Sequence, residues 1–311
     1  MSMRSLFVAA CLATLSSPLS AAEPAASELP WSFQPIARPN VPAVQDVGWP
    51  RDDIDRFVLA KLEAAKLSPN PDADRAALIR RLAYDLTGLP PAEADLAENQ
   101  TYEALVDRYL NSPRFGERWG RHWLDVVRYA DNTGRVWNAP LTYAWRYRDY
   151  VIDAFNKDKP YDRFISEQLA GDLLPAKSVS EERENRIATG FLALGAHDLQ
   201  TLNHEQFVMD GIDDQIDVTT RAFLGLSVAC ARCHDHKYDP VTMRDYYALA
   251  GIFYSTTMLP GVAHQRESGG GGYVNPTKLQ ILPTPAGRPV AGESGTHSMY
   301  DYQDRWRTGE R

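Results

Sequence analysis

Apolar positions recur along this chain at three- and four-residue spacing and almost nowhere at two, which predicts helices and very little sheet. Ile54, Phe57, Val58 and Leu62 keep helical spacing after the acidic capping candidates that begin at Asp52. A second helix is expected over about Asp74–Thr87, with Leu78, Ile79, Leu82 and Leu86 inward, and Gly88 followed by prolines stops it. Tyr102, Leu105, Val106 and Tyr109 mark a third near Tyr102–Leu110. Pro113 opens a fourth, Arg114–Tyr129, carrying Phe115, Trp119, Trp123, Val126 and Val127. Further helices are expected at about Tyr143–Asn156, Tyr161–Leu174, Ser180–Leu194, Glu205–Leu224 and Thr242–Tyr254. No internal repeat is visible. The fold class that follows is mostly α, a multi-helical domain spanning residues 51–258.

The flanks read differently. Residues 23–50 hold Pro24, Pro30, Pro35, Pro39, Pro42 and Pro50, which forbid a helix and predict an extended Pro/Ala-rich arm. Trp31 and Phe33 are expected to pin that arm. Residues 259–311, with Gly269 to Gly272 among them, read as an irregular Gly/Pro-rich tail. At the other end, Arg4, the apolar run Leu6–Leu15 and the small residues Ser20-Ala21-Ala22 have the layout of a secretory leader, residues 1–22. Val8-Ala9-Ala10-Cys11 looks like a lipoprotein box, but the apolar run ahead of Cys11 is short, so cleavage near Ala22 is preferred over lipid anchoring. The expected location is therefore periplasmic or secreted.

Charge and composition narrow the partners. The 311-residue chain is 44% hydrophobic and 24% charged with a formal charge of −8, and losing Arg4 makes it more negative. An acidic surface argues against nucleic acid as a partner. No apolar run reaches the length of a bilayer span.

The chemistry concentrates in Cys230-Ala231-Arg232-Cys233-His234. Two cysteines two residues apart, followed at once by histidine, is the attachment pattern of a c-type haem. Each thiol can form a thioether with one vinyl group on the same porphyrin edge, and the next imidazole then lies under the iron as proximal ligand. Cys230 and Cys233 are the chain's only cysteines besides Cys11. A plain Cys230–Cys233 disulfide, a redox-active pair, or a zinc site completed by His234 and His236 are the competing readings. The redox pair lacks a βαβ setting, and ligands so close in sequence would cramp a tetrahedral ion. His236 is expected to hydrogen-bond locally, with Asp239 or a haem propionate, and not to reach the opposite haem face.

Distal-ligand candidates are His122, His204 and Met258, with Met209, His264 and Met299 also conceivable. Arg146 or Arg148 could pair with propionates, although a solvated helix face is the plainer reading. Asp210, Asp213, Asp214 and Asp217 lack the alternate-position pattern and central glycine of a calcium loop and read as a charged helix face. The expected function is single-electron transfer through covalently bound haem c, loaded by cytochrome c maturation machinery and serving a periplasmic redox partner. The alternatives are an extracytoplasmic enzyme or enzyme subunit, and a non-haem binding or scaffold module with a Cys230–Cys233 disulfide.

Several stretches together resemble a known family. They are Trp49-Pro50 with Ile54 to Val58, Leu82 to Pro91 (LAYDLTGLPP), Ser112 to Asp125 (SPRFGERWGRHWLD), Trp145 to Asp149, Pro160 to Pro175 (PYDRFISEQLAGDLLP) and Asp214 to Ala248, including Cys230 to Pro240 (CARCHDHKYDP). On these the chain resembles the cytochrome-like domain of unknown function found in many secreted planctomycete proteins. The resemblance runs over about residues 31–258. It implies secretion and a haem-type motif at Cys230, Cys233 and His234, and it specifies no reaction. In that family's usual arrangement residues 259–311 would begin a second domain. The leader reading yields a first expected outcome: intact mass and N-terminal sequencing of exported protein should find a chain starting near Glu23, and a diacylglyceryl group on Cys11 would contradict it.

Overall fold

A computed structural model describes residues 30–97, 100–134, 139–262, 273–283 and 297–298. The leader, the first part of the arm, His264 and Met299 lie outside these residues. The fold is mostly helical. The chain divides into two compact units, residues 1–71 and 72–311.

In the first unit a single 3-10 turn, Trp31–Phe33, precedes a stretch without regular structure up to Pro50. Helix α1 spans Asp53–Ala64, and the Asp52 carboxylate caps it by accepting from the Asp55 amide at 2.9 Å. The Glu63 carboxylate near its end accepts from the Gln45 and Asp46 amides at 2.8 and 3.1 Å, tying the preceding segment to the helix. Trp31 does not pin anything: it is 86% exposed. Ile54, Phe57 and Val58 are also exposed, and Leu59 alone of this helix is buried.

The second unit holds the core. Helix α2 (Arg75–Thr87) starts on the Asp74 side chain and ends at Gly88, whose φ of 70° is left-handed. It packs with α3 (Tyr102–Leu110) around Ile79, Leu82, Ala83, Leu105 and Tyr109. The connection between them holds Asp95, which accepts from the Tyr109 hydroxyl and the Arg108 guanidinium. Burial and the Asp95 contact push the Tyr109 hydroxyl up to about 12.

Helices α4 (Pro113–Val126) and α5 (Ala144–Asn156) form the tightest pair. Gly116 and Gly120, one turn apart, are the two buried residues of α4. A Cβ on Gly116 would collide with the Ile152 carbonyl, and its amide donates to Asn156 Oδ1 at 2.8 Å, so the close approach depends on glycine. Then come α6 (Tyr161–Ala170), α7 (Val179–Ala188), the single turn α8 (Gly190–Ala193), α9 (His204–Leu224) and α10 (Met243–Tyr254). Val127, Tyr147, Val151, Phe164, Phe191, Leu199 and Val218 fill the main core. At its centre Trp123 Nε1 donates to the Tyr147 hydroxyl and to Gln168 Oε1, both at 3.0 Å. Its ring lies against Phe164, Phe191 and Phe223.

Four further expectations need correction. The fourth helix stops at Val126 instead of Tyr129, because Arg128 turns off at a φ of 56°. There its guanidinium reaches the Leu194 carbonyl and Asp214, each at 2.6 Å, so a tertiary pair overrides local propensity. The Tyr161–Leu174 and Ser180–Leu194 runs are each interrupted, the first by a 3-10 turn at Gly171–Leu173 and the second at Thr189. The tail is not wholly irregular either. Strands β1 (Pro260–Val262), β2 (Tyr273–Leu279) and β3 (His297–Ser298) form an antiparallel sheet in the order β1-β2-β3. Pro276 hid β2 from sequence reading. It lies beyond the two residues paired with β3, and the β1 pairing is irregular opposite it.

Glu167 on α6 anchors a buried charge network. Its carboxylate accepts from the Tyr150 hydroxyl at 2.8 Å, Arg163 Nε at 2.7 Å and Lys159, with the Glu167 side chain only 4% exposed. Burial alone would raise its pKa, but these donors outweigh burial and hold the carboxyl below the usual glutamate value. A depressed folded-state pKa stabilises the fold fully above the unfolded value. That stability is lost as pH falls through the folded value. Acid titration of Tm should therefore show a decline beginning near pH 4.5 in the wild type and weakened in Glu167→Gln. At neutral pH Glu167→Gln should lose about 3 kcal/mol, the low end for a broken buried pair, because Lys159 would keep only the more distant Glu184 carboxylate at 3.7 Å.

Candidate functional site

The Cys230–His234 segment reaches its position through α9. Gly225, left-handed at φ 67°, ends that helix, and the chain folds back along it as a 3-10 turn, Val228–Arg232. Side chains three apart eclipse one another in such a turn. Val228 and Ala231 accordingly form its buried row, packed with Ile212, Ile216, Val241, Tyr246, Ala250 and Phe253. Cys230 and Cys233, also three apart, are both exposed free thiols. With Val228 and Ala231 turned into the core, both thiols are left to solvent.

Ion pairs and hydrogen bonds fix the turn from below. Arg232 reaches Asp213 at 3.4 Å and Asp210 at 3.6 Å on α9, and Tyr247 of α10 donates its hydroxyl to the Arg232 carbonyl at 3.2 Å. Burial works against the Arg232 charge, yet Asp213, Tyr246 and Asp210 outweigh it and raise its pKa. Tyr246 donates to Asp213 at 2.7 Å, and burial with that bond drives its own pKa up. Asp214 pairs with Arg128 and Asp217 with Arg221 at 2.8 Å, so all four aspartates on this helix have basic partners.

The two histidines after the turn are held in opposite tautomers. His234 is exposed, and its Nδ1 lies 2.8 Å from the Asp235 carbonyl. A carbonyl only accepts, so Nδ1 carries the proton and Nε2 keeps its lone pair. His236 Nδ1 instead receives the amides of Asp239 at 2.8 Å and Tyr238 at 3.3 Å. Amides only donate, so this Nδ1 is bare and the neutral ring carries its proton on Nε2. The loop itself is pinned: the His236 amide donates to Val241 at 2.8 Å, and Asp235 Oδ1 accepts from Met243 at 2.8 Å. Thr242 and Asp245 close a capping box at the start of α10. This opposition could not be read from sequence, since it depends on which backbone groups the loop turns toward each ring.

Chemically, the arrangement offers two accessible thiols and one imidazole lone pair beside a rigid support. Among the described residues no three His, Cys, Asp or Glu side chains converge to hold a metal ion, so Cys230, Cys233, His234 and His236 do not form a ready zinc cage.

The remaining candidates are spread out. His204 opens α9, about 9 Å of helical rise before Asp210, the partner of Arg232. The Met258 methyl lies against Gly211 on the same half of that helix. Met209 packs into the smaller core beside the turn. His122 sits on the exposed face of α4 with its ring 5.5 Å from Trp119. Its neighbour Trp123 meets Phe223, about 15 Å of helical rise from Asp213. The turn and its support therefore share α9 with His204 and Met258, and His122 belongs to the other end. Arg148 pairs with Asp149 at 2.8 Å, and Arg146 stacks on Tyr143 and Trp145.

The exposed thiols yield a direct test. In folded, reduced protein lacking the leader, 5,5′-dithiobis(2-nitrobenzoic acid) should titrate both cysteines without denaturant, at rates close to those of the unfolded chain. Protection of either thiol would contradict the observed turn.

No helix among the described residues is long and apolar enough to cross a membrane. No curated protein and no solved structure matches the chain. A family model does match, over residues 53–258, from the residue that opens α1 to the one whose methyl meets Gly211. By that match the chain belongs to the PSCyt2 family, proteins of unknown function (DUF1549).

Proposed function

We propose that this protein is a secreted c-type haem protein that transfers single electrons, with the haem fixed to Cys230 and Cys233 and His234 as the proximal iron ligand. The observation that carries this reading is that Cys230, in the 3-10 turn, and Cys233, which caps it, are both free and exposed beside the buried Val228 and Ala231. That geometry suits addition of each S–H across one vinyl double bond, sulfur to one carbon and hydrogen to the other. The His234 tautomer supports it too. An iron-bound imidazole commonly donates its other nitrogen's proton to a carbonyl, and His234 Nδ1 has such a partner in Asp235. His236 has its proton on the opposite nitrogen and two amides on Nδ1, which suits a loop pin and not a ligand. A covalently held haem supplies a one-electron couple whose potential is tuned by its ligands and surroundings.

The chain's own residues keep that site in register. Arg232 anchors the turn on α9, and the Met243 and Thr242 amides, donating to the Asp235 and Asp245 carboxylates, keep the loop after His234 in place. The secretory leader, the cytochrome-like resemblance of the CARCHDHKYDP stretch and an oxidising compartment agree with this reading. The partner class is a periplasmic redox protein, and loading calls for cytochrome c maturation machinery.

Expression with that machinery, followed by denaturing electrophoresis and haem staining, tests the reading. The band should stain, and Cys230→Ser/Cys233→Ser should abolish the stain. An unstained wild-type band with a mass two hydrogens light would replace haem with a disulfide. In stained protein His234→Ala should lose the haem or change its optical and paramagnetic spectra outright. His236→Ala should keep the ligation while losing about 1 kcal/mol of stability, since the part-buried Asp239 amide loses its acceptor and the exposed Tyr238 amide turns to water. His204→Ala and Met258→Ala, compared in the same spectra, identify the sixth ligand or leave the iron spectrum unchanged.

A further inference from the structure

A second site lies away from the cysteines. A cavity of about 650 Å³ opens between the start of α5, the turn after α6, α7–α8, α9 and the segments that follow α10 and β2. No residue from Cys230 to Asp239 lines it. Its volume falls in the range of small-molecule sites, and much of its wall is leucine and isoleucine. The segment after β2 is fastened rather than loosely laid: Arg186 donates to the Ile281 carbonyl, Arg183 to Pro283, and Thr189 bonds Gln280 at 3.2 Å.

Two charges on this wall stand out. Arg186 is neutralised by Glu182 at 3.0 Å, but Arg146 has no hydrogen-bond acceptor and no carboxylate within ion-pair distance among the described residues. Its guanidinium is held in place by the Tyr143 and Trp145 rings, with centroids at 4.9 and 5.5 Å. Asp172, itself exposed, also lines the cavity with no ion-pair partner among the described residues, Arg146 included. A stacked, half-buried guanidinium without an acceptor suits a planar anion. With one unpaired cation on the wall and Asp172 also lining it, a guest carrying a single negative group fits best, since a second would find an anion and no second free cation.

We propose that this cavity binds a small amphipathic monocarboxylate, its carboxylate on Arg146 and its apolar chain along the leucine-rich wall. Isothermal titration of the leader-free chain with octanoate, 1-octanol and octanedioate reads this directly, whatever the haem content. Octanoate should bind saturably at one site, with octanol and octanedioate weaker by about tenfold or more. Arg146→Gln should bring octanoate down to the octanol level, and Arg146→Lys, which keeps the charge but not the fork, should fall between. Arg148→Gln, altering a neighbouring arginine outside the cavity, should bind as wild type. The proposal is overturned if octanoate fails to bind saturably, or if octanol or octanedioate binds as tightly. A folded Arg146→Gln, or Arg146→Lys where the former does not fold, that binds octanoate undiminished would overturn it as well.

Discussion

The indole N–H of Trp123 is the interaction on which the second unit is assembled. It is shared between the Tyr147 hydroxyl and Gln168 Oε1, so one donor links α4, α5 and α6 in the middle of an apolar core. Gln168 is fully buried and Tyr147 nearly so. Unpaired polar groups at such depth would each cost about 1–3 kcal/mol, so the three must find one another for the helices to pack. The triad thus selects one register of α4 on α5 that leucines alone would leave open. Gly116 and Gly120 on the same helix permit that register by removing the side chains that would hold the backbones apart.

From this hub the order passes outward to the exposed turn. The Trp123 ring meets Phe223, which fixes the C-terminal end of α9. That helix then gives two services along its length. Ile212 and Ile216 receive Val228 and Ala231, and Asp210 and Asp213 receive Arg232. The apolar pair sets the depth of the turn and the ionic pair sets its rotation. With both fixed, Cys230 in the turn and Cys233 at its cap are left exposed to solvent. Exposed ion pairs at 3.4–3.6 Å are weak individually, so the burial of Val228 and Ala231 supplies most of the anchoring.

Much of this was legible in the sequence because helix period, capping residues and stop signals agreed. Asp52 caps its helix as its position announces, and the structure adds Asp74, Thr101, Ser112 and Thr242 as caps of theirs. Sequence reading failed where a distant partner decided the local backbone. Arg128 leaves the helix for Leu194 and Asp214, and β2 tolerates Pro276 because its partners are arranged around it. At the candidate site, the cysteine and histidine identities and spacing were plain. The tautomers were not, because they follow from carbonyl and amide directions in a folded loop. The cavity was invisible for a related reason: its wall is drawn from segments far apart in the chain, and Arg146 reads in sequence as one more charge on an amphipathic helix.

Helix α9 is the wall common to both sites, and its faces explain why they can be distinct. Ile212 and Ile216 point to the turn, while Gln215, between them in sequence, is buried toward the cavity with its amide on the Leu192 carbonyl at 3.2 Å. Successive residues on a helix differ by about 100° of rotation, so such neighbours necessarily serve different sides. Gly211 allows the Met258 methyl to lie against the helix backbone, and Met258 also lines the cavity. Unless Met258 is itself the sixth ligand, coupling between the sites would therefore require α9 to shift. The Trp123–Phe223 contact, the Arg128–Asp214 pair and the Gln215 amide all resist that from the main core. A rigid shared helix separates the two chemistries physically while holding both in one folded unit.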